Sequence, residues 1–216
     1  MSADEEKRAA AQSAAALVER GMRVGLGTGT TVAYLLDALG RIKPDATFVA
    51  TSPATETAAR TLGLRIESFD EIDHLDLAID GADQIAPDGW LVKGRGGAHL
   101  REKIVAGAAR RFVVIADSTK LVASLHPPVP LELSAFGLAS TLRRLEPTKV
   151  RDAPRSPDGG VLADYTGQFT DPSVLANRLS STPGVLAHGL FDPSLVSDIF
   201  VATGKTVTRS VPGGIR

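Results

Sequence analysis

Arg23-Val24-Gly25-Leu26-Gly27-Thr28-Gly29-Thr30-Thr31, continuing through Val32, Leu35 and Leu36 to Leu39, is the stretch whose reading decides the fold. Residues 23–26 have the short apolar pattern of a buried strand, and residues 31–39 carry apolar side chains at helical spacing. A strand that hands over to a helix through glycines opens an α/β unit. The pattern then repeats, with strands expected at 47–50, 75–79 and 112–116 and helices at 54–62 and 100–111. Such alternation predicts a parallel sheet with crossover helices, a Rossmann-like architecture. Upstream, Ala10, Ala14, Leu17 and Val18 fall at helical spacing and predict an opening helix over residues 4–20, ended by Gly21.

Downstream the rhythm changes at His126-Pro127-Pro128-Val129-Pro130, because proline cannot continue a helix or a central strand. A domain junction is expected there. Beyond it come a strand at 131–133, a helix at 135–145, two strands flanking the 154–160 turn region, a helix at 172–179 and a strand at 184–190. That order is the split βαββαβ, or ferredoxin-like, arrangement. Strands at 198–202 and 206–209 are expected to return to the first sheet. The expected organisation is therefore a Rossmann-like α/β domain, residues 1–126 plus 198–216, with a smaller inserted βαββαβ domain at 127–197.

Composition narrows the function classes. The 216 residues are 43% hydrophobic and 23% charged, ordinary for a globular chain with enough length for a sizeable core. Lys plus Arg number 24 against 25 Asp plus Glu, so no global field concentrates a polyanion, and neither nucleic acid nor membrane is an expected partner. The absence of cysteine removes disulfides, thiolate zinc sites and cysteine nucleophiles together. The N-terminal stretch lacks a basic region followed by an apolar run, and no later stretch reaches 18 apolar residues, so a cytoplasmic protein is expected.

Four segments carry chemistry. In the first, glycines between strand and helix let backbone N–H groups approach an anion at the positive helix end, with Thr28, Thr30 and Thr31 adding hydroxyls. It is not the dinucleotide fingerprint, since G-x-G-x-x-G counted from Gly25 finds Thr30 and counted from Gly27 finds Val32. Taken alone it also reads as a tight turn with an N-cap threonine. In Leu77-Ala78-Ile79-Asp80-Gly81-Ala82-Asp83, Asp80 falls at a strand's carboxyl end, where open α/β sheets form ligand crevices, with a second carboxylate three residues on. These aspartates suit proton handling, or else a capped turn and a solvated face. The four histidines, at 74, 99, 126 and 188, have no metal-ligand spacing, so no metal is expected. In Lys93-Gly94-Arg95-Gly96-Gly97-Ala98-His99-Leu100-Arg101-Glu102-Lys103 a lysine opens a glycine loop leading into a helix with an acid near its first turn. Lysine and loop form an electrophilic site for an oxyanion, with Glu102 close enough to act as base, although a first-turn Glu also arises for helix-dipole reasons alone. In Asp117-Ser118-Thr119-Lys120 the lysine again falls near a strand end.

Taken in order, these segments resemble ribose-5-phosphate isomerase of the A type over essentially the whole chain. The series is Gly27 to Thr31, Thr51-Ser52, Asp80 to Asp83, Lys93 to Gly97 with Arg101-Glu102-Lys103, and Asp117 to Lys120. The resemblance implies an aldose-ketose isomerase interconverting ribose 5-phosphate and ribulose 5-phosphate in the pentose phosphate pathway, without cofactor, as a homodimer or homotetramer. It implies Glu102 as proton acceptor, acting with Asp80, Asp83 and Lys93. The sugar phosphate would be held by Thr28, Gly29, Thr30, Thr31, Asp80, Gly81, Ala82, Asp83, Lys93, Gly94, Arg95, Gly96 and Lys120, with Lys7 of the first helix at a basic position for the phosphate. Departures from the family pattern are Gln84, where Glu is usual, His99, where an apolar residue is usual, and the looser match of residues 129–134 to the family's Pro-Val-Glu-Val-Ile-Pro segment. A silent sugar-phosphate sensor and a nucleotide-dependent dehydrogenase are the alternatives. The first lacks room for a helix-turn-helix ahead of the first strand, and the second lacks the third glycine.

Overall fold

In the computed structural model, which describes residues 2–213, helix α1 (Ala3–Ala15) precedes β1 (Arg23–Leu26), α2 (Thr30–Ile42), β2 (Thr47–Ala50), α3 (Pro53–Thr61) and β3 (Arg65–Ile66). Then follow β4 (Leu77–Gly81), β5 (Gln84–Ile85), β6 (Leu91–Val92), α4 (His99–Ala108) and β7 (Phe112–Asp117). The remainder comprises β8 (Val129–Leu133), α5 (Leu138–Arg144), β9 (Thr148–Val150), β10 (Val161–Tyr165), α6 (Pro172–Ser181), β11 (Val185–His188), β12 (Leu190–Phe191), β13 (Asp198–Thr203) and β14 (Thr206–Ser210). Residues 1 and 214–216, at the ends of the expected Rossmann-like unit, lie outside the described residues.

The main sheet has the order β14-β13-β7-β4-β1-β2-β3, parallel except for the β14 edge. Its central strands, β1, β4, β7 and β13, are buried on both faces, which is why they read as nearly unbroken apolar runs. Along β7, Val113 and Ile115 face a core shared with α1 and α2, while Phe112, Val114 and Ala116 face a second core with Val105 and Ala106 of α4. The alanines of α1 have a packing reason: Ala10, Ala11, Ala14 and Ala15 are all buried, and their small side chains let the helix lie close on the sheet. From β1 the chain proceeds outward to β2 and β3, then returns to place β4 and β7 on the other side of β1. The loops leaving the adjacent β1 and β4 therefore flank the crevice where strand order reverses.

Residues 129–188 form a separate antiparallel sheet, order β11-β8-β10-β9, with α5 and α6 as its crossovers. This is the ferredoxin-like order. A third, three-stranded sheet, β12-β6-β5, joins residues 190–191 of the expected smaller unit to strands of the larger one.

Several elements differ from the sequence expectation. Helix α1 ends at Ala15 rather than residue 20, because Leu17 and Val18 donate to carbonyls three residues back and the chain tightens into a turn. Helix α4 stops at Ala108, since Leu75 N–H takes the Ala108 carbonyl and Arg110 N–H bonds to Leu75. Pro130 lies inside β8, a central strand. Its carbonyl accepts from Gly189 N–H beyond the end of β11, so its missing donor faces the side where the ladder has stopped. The expected strand 184–190 breaks at Gly189, where an added Cβ would fall 2.1 Å from the Lys93 carbonyl oxygen. Finally β4 begins at Leu77 and runs on through Asp80 to Gly81.

Candidate active site

Gly27 is the position that lets the site form. An added Cβ there would lie 1.8 Å from Asp80 Oδ1, so only glycine lets the Asp80 side chain lie against the loop after β1. Asp80 is buried, and its Oδ1 accepts backbone N–H bonds from Gly81 at 2.7 Å and Thr28 at 3.2 Å. Its Oδ2 takes the Lys93 ammonium at 2.7 Å, and Lys93 also donates to the Gly81 carbonyl at 2.6 Å. On the far side of the ammonium lies Glu102, in the first turn of α4, with Oε2 at 3.1 Å from Nζ. That last contact is an ion pair without hydrogen-bond angles, so Glu102 Oε2 is buried with no hydrogen-bond partner among the described residues.

One buried cation thus lies between two buried carboxylates. Burial pushes Glu102 up to about 7, the Asp80 charge adds to the rise, and Lys93 opposes it. Burial also raises Asp80 against the donors Lys93, Gly81 and Thr28. Burial works against the Lys93 ammonium, but Asp80 and Glu102 outweigh it and raise the group above the ordinary lysine value. Glu102 is thus raised into the range where a buried carboxyl can exchange a proton near neutral pH.

Above this cluster is a cleft of about 410 Å³ lined by Lys7, Thr28, Gly29, Thr30, Thr31, Gly81, Ala82, Asp83, Lys93, Gly94, Arg95, Gly96, Glu102 and Lys120. These are the candidate residues of the sequence reading with the exception of Asp80, which lies beneath the cleft with its oxygens occupied. Gly29 holds φ +113°, in the left-handed region, and turns the chain into α2, whose first-turn N–H groups lie at one end of the cleft. Lys7 from α1 and Lys120 from the turn after β7 add two cations. At the other end Asp83 Oδ2 accepts from Arg95 N–H at 3.0 Å.

The sequence reading named Thr51 only within the family series, without a role, and missed Thr55 and Glu6 as supporting residues. Thr55 donates to the Gly27 carbonyl at 2.9 Å, and Thr51 Oγ1 is 2.9 Å from Thr28 Oγ1. Glu6 accepts from Ser118 N–H, Ser118 Oγ and Gly204 N–H, tying the Lys7 helix to the Lys120 turn and the β13-β14 turn. Its signal was available, since residues 6, 10 and 14 share one helical face. His99 and His188 are held to about 3, each chiefly by burial, and are neutral at working pH. Among the described residues no cluster of three or more potential metal ligands occurs, and no helix is long and apolar enough to cross a membrane.

Comparison with known proteins gives a consistent result. The family model described as ribose 5-phosphate isomerase A (phosphoriboisomerase A) matches residues 47–206. Ribose-5-phosphate isomerase A of Caulobacter sp. (strain K31) is 42% identical over 227 residues, covering 98% of this chain and all of that protein. Among solved structures, ribose 5 phosphate isomerase A from Neisseria gonorrhoeae has a TM-score of 0.93 at 30% identity, covering 98% of both chains. A D-ribose-5-phosphate isomerase in complex with phospho-erythronic acid has a TM-score of 0.91 at 32% identity, covering 98% of this chain and 100% of that one.

Proposed function

The chain belongs to the ribose 5-phosphate isomerase A family, and from that premise we propose how its own residues interconvert ribose 5-phosphate and ribulose 5-phosphate. It is an aldose-ketose isomerase. The reaction moves a hydrogen from C2 to C1 and another from O2 to O1 through an enediolate, so it needs one base reaching both carbons and donors aimed at the developing oxyanion. Glu102 is the base, taking the C2 proton and returning it to C1. Lys93 and the N–H groups of the Gly94–Gly96 loop stabilise the oxyanion, and Asp83 carries the proton between O2 and O1. Asp80 acts from below by anchoring Lys93 and raising Glu102. The phosphate lies at the α2 N-terminus with Thr28, Thr30, Thr31, Lys7 and Lys120, spending remote binding energy on orientation. The remaining expectations are a homodimer or homotetramer in the cytoplasm that needs no metal or organic cofactor, and they rest on the family resemblance.

The observation that carries this reading is the buried Lys93 ammonium, 2.7 Å from Asp80 and 3.1 Å from Glu102 at the floor of the cleft. The test is ketose formation from ribose 5-phosphate in EDTA, wild type beside Glu102→Gln. Turnover should survive chelation and fall about 10²–10⁴-fold in the variant. Near-normal turnover by Glu102→Gln removes the base assignment, and a wild type that binds the sugar phosphate without turnover is a sensor.

A further inference from the structure

We propose that Arg151 is a positioning residue for the isomerisation, holding the Gly94–Gly96 loop so that its N–H groups face the cleft. Arg151 follows β9 in the small sheet, 56 residues from Arg95, and its side chain is largely covered. Its Nε and Nη2 pair with the two oxygens of Asp164 on β10, at 2.9 and 2.7 Å. Its Nη1 donates to the carbonyls of both Gly94 and Arg95, each at 3.1 Å. Because the guanidinium is planar, the bidentate pair with Asp164 also fixes where Nη1 points.

The consequence follows from peptide geometry. The 94–95 and 95–96 bonds are trans, so each N–H points opposite its carbonyl. The first demonstrates it, since Arg95 N–H meets Asp83 Oδ2 at 3.0 Å on the side away from Arg151. The second carries Gly96 N–H, and Gly96 lines the cleft. Two carbonyls converging on one guanidinium nitrogen therefore turn two successive N–H groups the other way, one onto Asp83 and one toward the oxyanion. The Gly94 carbonyl is also held by Gly97 N–H at 3.0 Å, so the peptide that depends on Arg151 is 95–96; without the tether, glycine at 96 gives that peptide a cheap alternative in which the Arg95 carbonyl enters the cleft where negative charge develops. The small sheet thus contributes to catalysis through one side chain. This inference rests on the loop being the isomerase's oxyanion site.

The test compares Arg151→Met, Arg151→Lys and Asp164→Asn with wild type, using Asp158→Asn as comparator. Asp158 pairs with Arg101 of α4 at 2.8 Å and so joins the small sheet to α4 without touching the loop. Arg151→Met should lower kcat about 10–100-fold, below the ~10²–10³ for outright loss of an oxyanion donor, with KM changed less than about threefold. It should weaken inhibition by phospho-erythronic acid, whose carboxylate carries charge near the oxyanion position, by a similar factor, while inhibition by inorganic phosphate holds within about twofold. Arg151→Lys should fall between, because an ammonium cannot bridge both carbonyls while holding Asp164 bidentately, and Asp164→Asn should resemble it. Asp158→Asn should keep kcat within about threefold. Wild-type kcat in Arg151→Met overturns the proposal. So does an equal loss in Asp158→Asn, or a matching loss of phosphate inhibition, either of which marks general loosening. If Arg151→Met does not fold, Arg151→Lys and Asp164→Asn decide, and undiminished kcat in both overturns it. A wild type without isomerase activity is the separate failure of the functional reading.

Discussion

Replacing Asp80 with asparagine should move the acid limb of the pH-rate profile downward, and the size of the move can be worked from the floor of the cleft. Asp80 Oδ2 and Glu102 Oε2 lie 2.7 and 3.1 Å from the same ammonium, so the two oxygens are at most about 6 Å apart. At an effective dielectric of about 20, two like charges at that separation repel by about 3 kcal/mol, roughly two pH units on Glu102. Both side chains are almost fully covered, so bulk screening takes little of this. Glu102, pushed up to about 7 in the wild type, should titrate near 5 in Asp80→Asn. Freeing Lys93 to pair with Glu102 alone acts in the same direction. The sign is fixed by chemistry: a base works only when ionised, so activity is lost as pH falls through its pKa, near 7 in the wild type and near 5 in the variant. Lys93→Met removes the cation and should move the limb upward instead. The assay is initial ketose formation between about pH 5 and 9 at constant ionic strength, read as kcat and kcat/KM. The substrate phosphate titrates near pH 6 in every protein, so the difference between profiles is the readout. A limb in Asp80→Asn within about half a pH unit of wild type, or a shift of both variants in one direction, refutes this electrostatic account.

Glu6 gives a stability prediction of definite sign. Ser118 and Gly204 donors hold its carboxyl down to about 2, so its contribution is complete above the ordinary unfolded value of about 4.3 and is lost as pH falls through about 2. The gap in thermal midpoint between wild type and Glu6→Gln should be open at pH 7 and close as pH falls toward 2. A pH-independent gap removes the carboxylate from the explanation. Gly27→Ala places a Cβ 1.8 Å from Asp80 Oδ1, which should cost about 1–3 kcal/mol in denaturant unfolding and at least about tenfold in kcat as Asp80 and Lys93 move. Gly107→Ala, in α4 with nothing within 4 Å of the new Cβ, should instead stabilise by about 0.5–1 kcal/mol, and a loss there would mean that α4 tolerates no change near Glu102.

The parts legible in the sequence are those where one segment carries its own cause. The run from Arg23 through Leu39 holds strand, glycine turn and helix in seventeen residues, and the covered faces of Val113 and Ile115 against Val114 and Ala116 make β7 unmistakable. The crevice residues were legible for a topological reason: ligand crevices of such sheets form at strand carboxyl ends, where Gly81 closes β4 and Thr28 and Lys120 follow β1 and β7. What escaped was decided by groups distant in sequence. Strand β4 runs on through Asp80 because Gly27, 53 residues earlier, leaves its side chain room. Pro130 is tolerated in a central strand because its donor side faces past the end of β11, and the strand after Gly184 splits because Gly189 must pass against the backbone of Lys93. Arg151 is the sharpest case. Nothing in its neighbours Val150 and Asp152 marks it, and its effect requires Asp164 on the next strand and two carbonyls 56 and 57 residues away. A motif lists the groups that meet the substrate, whereas the groups that orient them are recruited from whatever strand passes behind. Asp80 spans both cases, readable as a carboxylate at a strand end, yet buried beneath the cleft with its oxygens on Lys93, Gly81 and Thr28 rather than among the lining residues.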